Sequence, residues 1–208
     1  NVSIDKSSGG RCSLNVTEIY GAGKDADVEG DLILIMGCSE TRTEAVYGCS
    51  MNANVKGNVE LTITSGEYGK VFGGNNQSGA IFGHIIVNIE ETGCSPIIID
   101  ELYGCGNNAA YSTYGYYQDG TLANNKPKYV ARTSMTDGTA VTFTGKPHTV
   151  PPYADPEVNI ISCTRIGKVF GGGLGSQAIV YGNPKVNINM IKGKLRSEER
   201  FSRNAETD

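Results

Sequence analysis

An all-β fold of stacked repeats is the class this 208-residue sequence predicts, and three features of it point there. A triplet of Val, Ile or Leu, then Tyr or Phe, then Gly recurs as Ile19-Tyr20-Gly21, Val46-Tyr47-Gly48, Val71-Phe72-Gly73, Leu102-Tyr103-Gly104 and Val169-Phe170-Gly171. The intervals are 27, 25, 31 and 67 residues, the last being one repeat plus a large insertion. Periods of this size belong to stacked architectures. A second glycine follows each aromatic and opens a strand-like alternation, whereas no stretch sustains the 3.6-residue apolar period of a helix.

The elements follow in order from that pattern. Gly30 precedes a strand over 32–36, Gly57 one over 59–63, Gly83 one over 85–89 and Gly182 one over 186–188. Leu61-Thr62-Ile63, Val87-Asn88-Ile89 and Val186-Asn187-Ile188 alternate with period two, so one residue type points inward and the other outward. Each unit buries its apolar face only by stacking on a neighbour. The 28 glycines keep fixed phases at the corners, where close approach between coils leaves no room for a side chain. One domain is expected over 1–193, interrupted by an insertion at about 111–155. Residues 194–208, inside the charged run Lys192 to Asp208, read as a solvated cap or tail.

Composition narrows the function classes. With 38% hydrophobic residues and a net charge of −4, the chain can bury one core and offers no basic stripe for nucleic acid. No run approaches the roughly 18 apolar residues of a membrane helix. No signal-peptide pattern opens at Asn1, so a mature form or an excised fragment is expected.

The cysteines also follow the repeat. Cys38 and Cys49, and Cys94 and Cys105, share a spacing of 11, while the repeat between them has Ser65 and Gly74 at the matching places. Their joint appearance predicts the disulfides Cys38–Cys49 and Cys94–Cys105, each worth roughly 2–3 kcal/mol by chain entropy. The rival scheme joins stacked coils, for instance Cys12 to Cys38, because neighbouring strands lie close enough for a bridge. Cys163, like Cys12, lacks a second partner in its repeat. Either scheme implies an oxidising, extracellular or cell-surface setting. Zinc is disfavoured, since the short Cys-x₂-Cys spacing is absent and His84 and His148 are the only histidines.

In these motifs the chain resembles the glycine-rich VFGGG-type repeats of large secreted and surface-anchored proteins of gut bacteria, particularly Bacteroidetes and Firmicutes, over most of 19–110 and 157–193. The resemblance implies a right-handed parallel β-helix, a β-solenoid here of about five coils, similar to pectate-lyase-like and adhesin solenoids displayed outside the cell. It speaks to architecture and not to activity.

Four features are candidates for chemistry. The alternating carboxylates Asp25, Asp27, Glu29 and Asp31 look like the opening of a calcium loop. Met36 stands where an EF-hand needs Glu, however, and the next repeat carries Asn52, Asn54 and Asn58 in register, so a solvated turn is the alternative; calcium is the one cofactor considered. Arg165, Lys168 and His84 are the residue types that a β-helical polygalacturonase uses, but no pair of carboxylates at matching repeat positions accompanies them. No catalytic residue is therefore assigned. Asn88, Asn159 and Asn187 occupy one strand position in consecutive coils and are expected to hydrogen-bond as an amide ladder. The insertion carries six of the 11 tyrosines; of these, Tyr111, Tyr114, Tyr116, Tyr117 and Tyr129 are the candidate ligand-binding residues. Tyrosine pairs a flat apolar ring with a polar rim, which suits sugar faces or another protein.

The expected role is a secreted or surface adhesion or structural module. It would bind glycan or a host or bacterial surface protein through the insertion, without membrane insertion, and self-associate through its solenoid ends. A polysaccharide-active enzyme (lyase or hydrolase) and a ligand-free repeat spacer are the alternatives.

Overall fold

The computed structural model describes residues 2–4, 16–38, 41–81, 83–112, 116–121, 127–132, 140–141, 156–181 and 184–188. Strands and corners make up these residues, with no helix among them. In chain order the strands are β1 (Val2–Ile4), β2 (Glu18–Tyr20), β3 (Leu32–Met36), β4 (Thr43–Tyr47), β5 (Val59–Ile63), β6 (Gly66–Phe72), β7 (Ile85–Glu90) and β8 (Ile97–Tyr103). They continue as β9 (Tyr111–Ser112), β10 (Tyr116–Thr121), β11 (Pro127–Arg132), β12 (Ala140–Val141), β13 (Glu157–Ser162), β14 (Arg165–Phe170), β15 (Val180–Tyr181) and β16 (Lys185–Ile188).

The chain winds between two parallel sheets as a β-solenoid of about four turns. β1, β3, β5, β7, β13 and β16 form a six-stranded sheet, and β14, β8, β6, β4 and β2 a five-stranded one. The third side is a thin wall, in which the bridges Val28–Val55–Ile81 give way to the short β9–β15 pair.

Equivalent residues stack on one another because the register is kept from turn to turn. Leu34, Leu61, Val87, Val158 and Val186 form one inward column; Val46, Val71, Leu102 and Val169 form its counterpart in the other sheet. Most of these side chains are fully buried, and β7 alternates buried and half-buried residues along its whole length. Burying each Val, Ile or Leu stabilises the fold by about 1.5–3 kcal/mol, so the core is built in equal instalments per turn.

The glycine of each triplet explains itself here. Gly21, Gly48, Gly73 and Gly104 donate their amides to Tyr47, Phe72, Tyr103 and Phe170 of the next turn at 2.8–3.0 Å. A Cβ on Gly48 would lie 2.5 Å from the carbonyl oxygen of Gly73, and one on Gly21, Gly73 or Gly104 would strike the next glycine's carbonyl in the same way. That oxygen is backbone, between amides that are hydrogen-bonded from turn to turn, and cannot give way as the end of a flexible side chain would. Gly30 differs, because nothing lies within 4 Å of its Cβ position. Gly73→Ala is expected to destabilise the protein by about 1–3 kcal/mol or more through overpacking. Gly30→Ala should stay within about 1 kcal/mol of wild type. Urea unfolding of the two variants side by side checks the contrast.

Candidate functional site

The acidic corner lies between β2 and β3, and its carboxylates reach along the stack to the next turn. Asn52 Nδ2 donates to Asp25 Oδ1 at 2.9 Å, and the backbone and side-chain amides of Asn54 donate to Asp27 at 2.9 and 3.0 Å. Lys56 Nζ grips Glu29 at 2.7 and 2.9 Å, and the Asn58 amide donates to Asp31 at 2.7 Å. The ladder continues where Asn54 and Asn58 accept from the amides of Ala80 and His84. Each carboxylate thus has its own partner, and among the described residues no three His, Cys, Asp or Glu side chains gather as cation ligands. The Asp-to-Asn replacement in register makes Asp25, Asp27, Glu29 and Asp31 one half of a turn-to-turn ladder whose other half is Asn52, Asn54, Lys56 and Asn58.

The cysteine pairing needs correction. Cys38 is bonded to Cys94, with Cα atoms 5.6 Å apart, and neither Cys38–Cys49 nor Cys94–Cys105 forms. The physical reason is the strand between each expected pair. β4 separates Cys38 from Cys49 and β8 separates Cys94 from Cys105. A strand of five to seven residues spans roughly 17–24 Å, far beyond the reach of a disulfide. The corners before β4 and β8 each have six residues, whereas the corner between β5 and β6 has only two, Thr64 and Ser65. The two long corners therefore flank a short one and join across it. Ser65 lies beneath the bridge: Ser95 N donates to Ser65 Oγ at 2.8 Å, and Cys94 Sγ lies 3.8 Å from it. Arg42 makes a second link that skips a turn, passing over Gly69 to Asp100 at 2.6 Å.

Cys49 and Cys105 instead flank Gly74 inside the core, fully buried, and burial pushes both thiols up, Cys105 to about 12. Cys163 is a half-buried free thiol, and Cys12 lies outside the described residues.

The feature the sequence reading missed is a continuous aromatic stack. Tyr20, Tyr47, Phe72, Tyr103 and Phe170 lie nearly parallel with centroids 4.7–5.0 Å apart. Tyr47, Phe72 and Tyr103 form with Ala45 an apolar cluster apart from the main core, against which Tyr20 and Leu174 pack. Stacking adds about 0.5–1.5 kcal/mol per pair beyond area burial. Asparagines edge the stack: Asn76 Nδ2 donates to Tyr20 Oη at 2.6 Å, and Asn107 Nδ2 donates to Asn76 Oδ1 at 2.8 Å. Asn75-Asn76 begins two residues after the triplet glycine Gly73 and Asn107-Asn108 three after Gly104, which was the signal available in the chain.

Arg165 and Lys168 extend outward from β14 into ion pairs with Asp100 at 3.4 Å and Glu101 at 2.8 Å. His84 lies at the corner entering β7, on the other sheet, so the three do not form a common site. Asn88, Asn159 and Asn187 do form the expected ladder, with amide-to-carbonyl distances of 3.1 and 2.8 Å.

Of the tyrosines proposed for binding, Tyr111 belongs to the solenoid. It is 1% exposed in β9 and donates its hydroxyl to the Gly83 carbonyl at 2.8 Å, so it is withdrawn from the ligand set as a core residue. Tyr114 lies outside the described residues. Tyr116 and Tyr117 open β10, and Tyr129 lies in β11; with β12 these strands make a separate antiparallel sheet. The register sets position 116 opposite 131, 117 opposite 130 and 118 opposite 129.

The fold thus defines a parallel β-solenoid bridged by one disulfide among the described residues and interrupted by a Tyr-rich antiparallel insert. No family model, curated protein or solved structure matches the chain.

Two measurements test this arrangement. Cys38→Ser is expected to cost about 4 kcal/mol, the chain entropy of a loop closed over 56 residues, read by denaturant unfolding. Alkylation of the native protein should leave Cys49 and Cys105 unmodified.

Stability should also fall at both ends of the pH scale. Hydrogen bonds from Asn54, Arg42 and Lys168 hold Asp27, Asp100 and Glu101 below the usual carboxylate range. Their contribution is present at neutral pH and is lost as pH drops through those lowered values. Burial lifts Tyr20 and Tyr103 from 10.0 to about 12. That contribution is complete below pH 10 and disappears as pH rises toward 12. A thermal-midpoint profile should be a plateau with two falling shoulders.

Proposed function

We propose that the chain is an extracellular or cell-surface repeat module whose solenoid carries the Tyr-rich insert as a binding element for glycan or for a surface protein. One observation carries this reading: among the described residues, β10, β11 and β12 are the strands that leave the parallel in-register stack. The ladders of the solenoid couple turn to turn, through Asp and Asn at the corner, amides on one sheet and ion pairs on the other. The insert is where the pattern stops serving the stack.

Tyr116, Tyr117 and Tyr129 remain as binding candidates, on the paired strands β10 and β11. Rings with a hydroxyl rim stack on sugar faces and anchor protein contacts with little loss of rotamer freedom. The Cys38–Cys94 bridge suits an oxidising exterior. No helix among the described residues is long and apolar enough to cross a membrane. The resemblance to glycine-rich surface repeats of gut bacteria agrees with this placement.

A glycan array on the purified protein, with mass analysis of products, tests the proposal. Binding that survives in Gly30→Ala and falls at least tenfold in the Tyr116→Ala/Tyr117→Ala/Tyr129→Ala variant is expected. Undiminished binding by the triple variant would remove the insert as the site, and cleavage products would make the chain a polysaccharide-active enzyme.

A further inference from the structure

Among the described cysteines, the disulfide-bonded pair is the one that water reaches. Cys49 and Cys105 are buried in the core and Cys163 is half-buried against it, whereas Cys94 is exposed and Cys38 half-buried. Thr92, Gly93 and Cys94 make an exposed run in the corner between β7 and β8, so a small thiolate has access to the Cys94 sulfur.

The two bonded sulfurs have unlike surroundings. The backbone amide of Cys94 donates to Cys38 Sγ at 3.2 Å. Cys94 Sγ has the Ser65 hydroxyl at 3.8 Å, but that hydroxyl has nearer partners in the Ser95 carbonyl at 2.9 Å and the Ser95 hydroxyl at 2.7 Å. The charged side chains described on the two corners are engaged elsewhere: Glu91 accepts from the Ile97 amide and the Thr164 hydroxyl, each at 2.8 Å, and Arg42 is bound to Asp100. A hydrogen bond to the charged form of a group favours that form. Cys38 is therefore the better thiolate of the two and the better leaving group.

Bonds that do not pass through sulfur hold the corners. The amides of Thr92 and Gly93 donate to the Thr64 carbonyl at 3.1 and 2.9 Å, the Ser95 amide donates to Ser65 Oγ at 2.8 Å, and Arg42 holds Asp100 at 2.6 Å. With these in place the Cys94 amide stays beside Cys38 when the S–S bond opens.

We propose that Cys94 is a modification site for a low-molecular-weight thiol, with Cys38 the thiolate that leaves and later recloses the bridge. The incoming thiol gives its proton to water, and its sulfur bonds to Cys94 Sγ. The Cys94–Cys38 bond breaks, and its electron pair passes to Cys38 Sγ, where the Cys94 amide stabilises the charge. One disulfide is consumed and one is formed, so no other oxidant or reductant takes part. Reversal follows when Cys38 attacks the mixed disulfide at Cys94 Sγ and expels the small thiolate. A cross-link spanning two turns of the solenoid thus responds to the surrounding thiol pool.

Brief exposure of the folded protein to reduced glutathione, followed by acid quench and peptide mass mapping, reads the site. The adduct is expected on Cys94 in preference to Cys38 by about tenfold or more. Two variants test the leaving group, since both lose the same bridge and both keep the backbone amide at position 94. The rate of iodoacetamide alkylation against pH should have its midpoint about one unit lower for Cys38 in Cys94→Ser than for Cys94 in Cys38→Ser. Adducts shared evenly or placed mainly on Cys38 would overturn the proposal, as would the absence of any adduct until urea unfolds the protein. A Cys94 midpoint at or below that of Cys38 would overturn it too.

Discussion

The approach of one turn to the next at Gly21, Gly48, Gly73, Gly104 and Gly171 is the constraint on which the rest of the molecule depends. At the first four, the carbonyl oxygen of the following glycine in the series, up to that of Gly171, occupies the place a Cβ would take. Turns can then sit at the spacing of hydrogen-bonded strands, about 4.8 Å. At that spacing the ring before each glycine lands on the ring of the next turn, and the apolar residue before the ring lands on its equivalent. The glycines therefore hold the aromatic stack, the inward columns and the parallel register together.

Stacking like on like suits rings and branched aliphatics, but it would set like charges face to face. The chain avoids this by varying its outward positions from turn to turn. Lys70, Glu101 and Lys168 alternate in sign along one row, and Arg42 and Arg165 both pair with Asp100. At the corner, Asp in one turn meets Asn in the next, so a carboxylate accepts from an amide that accepts in turn from the backbone beyond it. Exposed pairs of this kind contribute little each. Their consequence is for register, because a slipped turn would set Lys70 or Asp27 against the wrong neighbour, while the buried columns and rings supply the stability.

Irregularity is confined to places where a turn is longer than its neighbours. Two six-residue corners on either side of a two-residue corner bring Cys38 and Cys94 together over Ser65. The longest departure, between β9 and β13, builds a sheet of its own with antiparallel pairing. A solenoid whose turns satisfy one another is a stiff support for such an insert, and it is there that a binding role has room to develop.

The periodic part of this protein was legible in the sequence. The triplets, the glycine phases and the Val-Asn-Ile alternation determine an all-β stack and align Asn88, Asn159 and Asn187, because each turn repeats the same residue at the same height. The same periodicity misled where the answer depended on distance across turns. Cys38 and Cys49 share a repeat, yet β4 holds them apart, and the partner of Cys38 lies two turns away across a corner whose shortness matters only in three dimensions. Asp25, Asp27, Glu29 and Asp31 each meet a donor in the next turn, a set of partners that their spacing along the chain does not display. Tyr111 stood at the boundary of the insertion, and only the pairing of β9 with β15 decided that its ring belonged to the core. What repeats along a chain fixes what stacks; what a side chain meets in another turn is decided by corner length and strand reach, which the sequence does not display residue by residue.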